Sequence, residues 1–232
     1  MGLWTPSTLD RSDLVWRQGK PYWHVGDHID QHSRFRKRLM PAHIGGANDS
    51  FSVAIGPFAT AIGANFNTFT ARQFVDPLPV PVLDPSRLQP GSKLKLEAEG
   101  EFSTTATPTL VLGFALGILG ATGSLGTPVV LAESAAITTG SGAASWPWRL
   151  EYRGIVTAVG TAGSITGEGD LELGTSLTAL STSPIPVTLA LRTVAIDTTI
   201  QRGVGVVATW GTSSVSNNVR VYNVSAVILN YT

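Results

Sequence analysis

Cysteine is absent from this 232-residue chain, and no histidine occurs after His43. The first absence excludes a disulfide scaffold and cysteine-based zinc sites. The second leaves the many serines and threonines downstream without an imidazole, so a Ser–His–Asp set would have to borrow from the first 44 residues. No G-x-S-x-G elbow is present either. Charge is also scarce: Asp, Glu, Lys and Arg make up 14% of the residues against 43% hydrophobic, and the formal net charge is zero. Weakly charged, neutral surfaces associate, so subunit packing is the expected state of such a chain. Long apolar runs are missing as well. The most apolar stretch, Leu110–Leu119 (LVLGFALGIL), is half of the roughly 20 residues a spanning helix needs. It reads as a buried strand or strand pair, and no membrane partner is expected. Met1–Lys20 carries Asp10, Arg11, Asp13 and Arg17 where a secretory signal has its apolar core, so no such signal is expected.

What is present is divided unevenly. All four histidines (His24, His28, His32, His43) and three of the six tryptophans (Trp4, Trp16, Trp23) fall in the first 44 residues. Val15–Val25 (VWRQGKPYWHV) sets a Gly-Lys-Pro turn between aromatic flanks, which predicts a small hairpin. Beyond it, Ile29, Phe35 and Leu39 have the spacing of a short helix ended by Pro41, with an apolar stripe too thin to fold without a partner. His24, His28 and His32 stand at i, i+4, i+8 with Asp27 and Asp30 between them, a donor set that suits a divalent ion on a helix. No HExxH motif or downstream ligand supports it. A polar interface segment is the simpler reading, and no metal or other cofactor is expected. Arg34-Phe35-Arg36-Lys37-Arg38 is a compact basic cluster. Yet the first 44 residues carry only seven basic against four acidic side chains, too thin an excess to neutralise a packaged genome. Docking on another protein is favoured over nucleic acid.

The remainder alternates. Gly45–Asp49 is a linker by composition, giving an attachment arm and linker over 1–48 and a sheet-forming domain over 49–232. Strands are predicted at Phe51–Ile55, Asn65–Phe74, Lys93–Phe102, Thr109–Leu116, Pro128–Ile137, Trp146–Val159, Ser164–Leu173, Val187–Asp197, Val204–Trp210 and Val219–Leu229. Asp76–Pro90 holds five prolines and reads as an extended surface crossover, and Pro184 and Pro186 as a loop. Two segments are clearest. In Lys93–Phe102, Leu94, Leu96, Ala98 and Phe102 face inward, opposite Lys93, Lys95, Glu97, Glu99 and Glu101. In Trp146–Val159, Trp148, Leu150 and Tyr152 face inward, opposite Arg149, Glu151 and Arg153. Eight to ten strands without a convincing helix give an all-β sandwich. The mixture of long and tight connections favours a jelly roll over a meander. Gly160–Gly163 and Gly167–Gly169 lack a following helix that would present its N-terminus to phosphate, so they read as hairpin turns. The carboxylates Glu97, Glu99, Glu101, Asp170 and Glu172 lie on outward strand faces. That placement fits a solvated sheet surface better than a glycosidase pair.

Three segments carry a resemblance: KLKLEAEGEFSTTATPTLVLGFALG, WPWRLEYRGIVTAVGTAGSITGEGDLELG and VATWGTSSVSNNVRVYNVSAVIL. Together they make the run from Asn65 to Leu229 resemble a recurrent type of virion structural protein of tailed bacteriophages. The resemblance implies a jelly-roll module, trimeric, displayed on a phage particle, and it carries no catalytic signature. It does not cover the arm, whose attachment role is read from composition. The expectation is a non-enzymatic head decoration or head-fibre protein, assembled in the host cytoplasm and located at the virion surface. Its arm would dock through Trp4, Trp16, Tyr22, Trp23, Arg34, Phe35, Arg36, Lys37 and Arg38 on the major capsid protein or another virion protein. The alternative is a tail or baseplate receptor-binding protein that recognises host glycan through Trp146 or the Thr212–Asn218 turn.

Overall fold

The computed structural model describes residues 67–75, 80–120, 124–176 and 178–230 with their side chains, save the side chain at 189, and the backbone pairing of strands over 14–17, 20–23 and 51–55. The chain divides into two compact units, Met1–Asp49 with Thr232 and Ser50–Tyr231. In the first unit, β1 (Leu14–Arg17) pairs antiparallel with β2 (Lys20–Trp23). The expected hairpin is there, but Lys20 and Pro21 belong to its second strand rather than to the turn. The short helix expected around Ile29–Leu39 lies outside the described residues.

The second unit contains thirteen strand segments among the described residues: β3 (Phe51–Ile55), β4 (Gln73–Phe74), β5 (Val82–Leu83), β6 (Lys93–Ser103), β7 (Thr109–Ile118), β8 (Val129–Glu133), β9 (Ile137–Thr138), β10 (Trp146–Ala158), β11 (Gly163–Gly174), β12 (Leu180–Ile185), β13 (Thr193–Ile196), β14 (Arg202–Trp210) and β15 (Asn218–Asn230). One sheet runs β12-β11-β10-β6-β15-β3, with β13 also on β11; the other runs β4-β14-β7-β8, with β5 on β14 and β9 on β7. Taking β3, β4, β6, β7, β8, β10, β14 and β15 in chain order as strands B to I, the two sheets read B-I-D-G and C-H-E-F. That is the strand order of a jelly roll, two interlocked Greek keys. The segments β11 to β13 are inserted between the sixth and seventh of these strands and widen the first sheet.

Alternation explains which side chains fill the sandwich. Leu94, Leu96, Ala98 and Phe102 of β6 and Trp148, Leu150 and Tyr152 of β10 are buried. They meet Leu110, Leu112, Phe114 and Leu116 of β7 and Val204, Val206, Ala208 and Trp210 of β14 in one core. The apolar run at Leu110–Leu119 is explained by burial on both faces. The outward side of β7 carries Gly113, Ala115 and Gly117, and that of β14 carries Gly203 and Gly205. Phe74 and Leu125, from outside these two strands, lie directly over Gly117 and Gly205.

Several expectations are corrected. Pro184 sits inside β12, because β12 pairs only with β11 and its free edge tolerates a missing N–H. Val187–Asp197 is a single 3-10 turn (Leu189–Leu191) followed by β13, not one strand. Asp76–Pro90 is not merely a surface crossover: β5 joins β14, Leu83 is buried, and Pro85–Arg87 forms a 3-10 turn capped by Asp84. Of Asn65–Phe74 only Gln73 and Phe74 pair among the described residues, and Pro128–Ile137 splits into β8 and the start of β9. Gly167 and Gly169 are not a turn but lie within β11. Two-residue strands and glycines carry no periodicity, so the chain pattern could not place them.

The glycines in the first sheet make room for aromatic rings. Gly100 faces Trp148 across β6 and β10, and a β-carbon there would stand 2.6 Å from the indole and 2.0 Å from the Arg220 carbonyl oxygen. Gly154 and Gly167 face each other across β10 and β11, and the Tyr152 phenol lies against both. Its hydroxyl is buried with no hydrogen-bond partner among the described residues. Burial pushes the phenol above its ordinary value of 10.0.

Gly100→Ala should therefore destabilise the domain by about 3 kcal/mol in urea unfolding, through overpacking against fixed backbone. Tyr152→Phe should be neutral or stabilising by about 1 kcal/mol, because it removes an unpaired buried hydroxyl. Since the folded state holds the phenol neutral, the unfolded chain loses its proton first as pH rises. Stability is thus independent of the Tyr152 proton below pH 10.0 and falls above it, as the unfolded phenol ionises. Denaturation midpoints followed from pH 8 to 11, a range of about three units, should fall more steeply for the wild type than for Tyr152→Phe.

Candidate interaction surface

The outward face of the first sheet holds most of the described charge. Register sets it out in rows across β6, β10 and β11. One row is Glu99, Arg149 and Glu172; the next is Glu97, Glu151 and Asp170; the next is Lys95, Arg153 and Glu168; the last is Lys93, Ile155 and Thr166. Three carboxylates thus stand directly side by side, next to a row with two cations. Like charges directly opposite on neighbouring strands destabilise a sheet. Ion pairs between next-but-one residues along a strand, and one diagonal pair from β10 to β6, relieve this. Lys95 bonds Glu97 at 2.7 Å, Arg149 reaches Glu97 at 3.9 Å and also pairs with Glu151, and Arg153 reaches Glu151 at 3.7 Å. Arg192 pairs with Glu168 at the far side. On β15, Arg220 bonds Glu101 at 3.2 Å. Glu101 also accepts from the Tyr222 hydroxyl, a hydrogen bond that raises the phenol's pKa. Of the carboxylates that sequence spacing left open to a glycosidase reading, Glu97 and Glu101 are engaged by cations, whereas Glu99, Asp170 and Glu172 form no ion pair among the described residues.

Two concavities flank these rows. One, of about 800 Å³, lies at the basic end. Lys93, Lys95, Arg153 and Arg192 line it together with Glu151, Glu168 and Asp170, and Pro184, Pro186 and Val187 stand in its wall. The other, of about 280 Å³, lies at the acidic end among Glu99, Pro147, Arg149, Glu172, Leu180 and Tyr222. The outward charges of β6 and β10 are legible as alternation. Leu180, Val187 and Arg192 are not, because the insertion that carries them joins the face only through sheet topology.

The residues singled out from sequence are scattered. Trp16 stands opposite Pro21, Tyr22 opposite Val15 and Trp23 opposite Leu14 in the hairpin of the first unit. Trp4, Arg34, Phe35, Arg36, Lys37 and Arg38 lie outside the described residues, as do His24, His28 and His32. Trp146 opens β10 half-buried, edge-on to Phe102 at 6.1 Å and 83°. Its partly buried ring packs against the core. The turn at Thr212–Asn218 is held internally, with the Asn217 side-chain amide donating to the Thr212 carbonyl at 2.7 Å. Ser213 ties it to the Thr68 carbonyl at 3.0 Å.

Fold and face together define a jelly-roll sandwich with an ion-paired outer sheet. No family model and no curated protein matches the chain. Among solved structures that resemble it are structures of infectious bursal disease virus, at very low similarity. The Gx strain structure is 13% identical with a TM-score of 0.19 over 84% of this chain and 44% of that one. The Gt strain structure is 14% identical, with a TM-score of 0.20 over 84% and 46%. A mutant VP2 protein of the same virus in derived particles gives 13% and 0.20, over 84% and 44%. The chain spans less than half the length of these proteins, and likeness at this level carries no functional argument.

Arg149 is the one cation set between the facing Glu97 and Glu151. Arg149→Ala should cost up to about 1 kcal/mol in low salt. The loss should shrink in about 1 M salt, where screening falls within a few ångströms. Thermal unfolding at both ionic strengths checks this; a loss independent of salt would mean that packing, not charge, is responsible.

Proposed function

We propose that this protein is a non-enzymatic virion structural protein, a capsid decoration or head-fibre protein of a tailed phage that docks through its N-terminal arm. The observation that carries the reading is the division of chemistry along the chain. A jelly-roll body turns its charged side chains into a partly self-paired sheet face. The separate N-terminal unit holds all the histidines, half of the tryptophans and the Arg34–Arg38 cluster. Because folds host many functions, the jelly roll alone does not select this one. The resemblance of the body segments to tailed-phage structural proteins supports it. Aromatics and arginine are the side chains that most often anchor interfaces, and the arm is rich in both. Low charge overall fits a body that self-associates, as a trimer by the resemblance. Several arms on one assembly then add avidity for the major capsid protein or another virion partner. Its place is the particle surface, after assembly in the host cytoplasm.

Deleting residues 1–44 should leave a folded, self-associated body that no longer binds particles, read by co-sedimentation with purified particles and by circular dichroism. A truncated protein that unfolds, or that still binds, removes the division of labour. Electron microscopy of the intact particle should place the body over the capsid lattice. Density confined to the tail tip would favour receptor binding instead.

A further inference from the structure

The outward side of β6 reads Lys93, Lys95, Glu97, Glu99, Glu101, two cations followed by three carboxylates. The face built around it is correspondingly polar from end to end. At the acidic end, Glu99 and Glu172 have no ion-pair partner among the described residues. Beside them Leu180 projects, 64% exposed. At the other end, Lys93, Lys95, Arg153 and Arg192 line the 800 Å³ concavity together with Glu151, Glu168 and Asp170, and Ile155 is 44% and Val187 45% exposed along it. Across β6 and β10 one end is therefore acidic, with Leu180 beside it, and the other basic, while β11 is acidic along its length.

From this we infer that a second copy of this chain packs face to face on the outer sheet in antiparallel fashion, the acidic end of each copy over the basic end of the other. A two-fold axis lying in the face, across the strands between the Glu97–Glu151 row and the Lys95–Arg153 row, sets Lys93 against the partner copy's carboxylate equivalent to Glu99. It likewise sets Lys95 against the equivalent of Glu97 and Arg153 against that of Glu151, and on β11 it opposes Glu168 to the equivalent of Asp170, a repulsion that the favourable pairs have to outweigh. Each pair occurs twice, as a self-complementary contact requires. Facing sheets pack about 10 Å apart, a gap that opposed Lys, Arg and Glu side chains span. By the same register Leu180 of each copy comes over Ser164 and the exposed Ala195 of the other, two residues beyond the Ile155 row. Complementary charge governs the register and rate of such a contact more than its strength, so Leu180 supplies the holding part. The inference rests on the reading that the body self-associates, and it is separate from any three-fold contact.

Sedimentation velocity of the full chain over a concentration series, at low and high salt, tests it. The wild type should associate, more weakly as salt rises. Lys93→Glu and Glu99→Lys should each weaken association roughly tenfold. The double variant carrying both exchanges should recover to within about threefold of wild type, because each reversed charge meets a reversed partner. Leu180→Asp, at a position too exposed to matter for folding, should weaken association independently of salt. A wild type that stays monomeric throughout overturns the self-association reading and this contact with it. Association that none of the variants alters leaves self-association standing and overturns this face. A double variant as weak as the singles overturns the pairing of Lys93 with Glu99.

Discussion

Burial of the inward side chains between the two sheets is the constraint on which the rest of this protein depends. Trp148, Leu150 and Tyr152 of β10 and Leu94, Leu96 and Phe102 of β6 are removed from water only because β7 and β14 lie across from them. Each such side chain contributes about 1.5–3 kcal/mol on burial. The large rings fit because glycine stands opposite them: Gly100 beneath Trp148, Gly154 and Gly167 around Tyr152. The Trp148 indole N–H finds the Glu101 carbonyl at 3.1 Å, whereas the Tyr152 hydroxyl and the Trp210 indole nitrogen find nothing among the described residues. The core is filled for shape first and polar satisfaction second.

The same alternation that fills the core builds the outer face. Every inward Leu or Trp on β6 and β10 sets its neighbours outward, and those neighbours are almost all ionic. Their signs alternate along β10 but run in blocks along β6, so strand register produces rows of like charge. Arg149, and ion pairs along the strands, reconcile part of these rows. The face is partly self-paired, and across β6 and β10 its two ends keep opposite character. That polarity is what a flat ionic surface can offer to a specific partner.

Much of this was legible in particular residues. Lys93–Phe102 and Trp146–Val159 declare their faces by period-two alternation, and both become long central strands with the expected inward and outward sets. Leu110–Leu119 declares burial on two sides, which β7 has. Less was legible where the physical cause is not local. Pro184 argues for a loop until β12 is known to be an edge strand. Gly167 and Gly169 argue for a turn until Tyr152 is seen to need the space.

Composition and alternation by themselves determined the all-β class, the inward and outward identity of the long strands, and the separation of a histidine- and tryptophan-bearing N-terminal segment from a cysteine-free body. These follow from side-chain period along a strand, a property of neighbouring residues. The tertiary structure alone decided the jelly-roll strand order, the insertion of β11 to β13 between β10 and β14, and the rows that juxtapose Glu97, Glu151 and Asp170. Those depend on which strands lie side by side, and such pairings join residues tens of positions apart, where no local pattern records the choice.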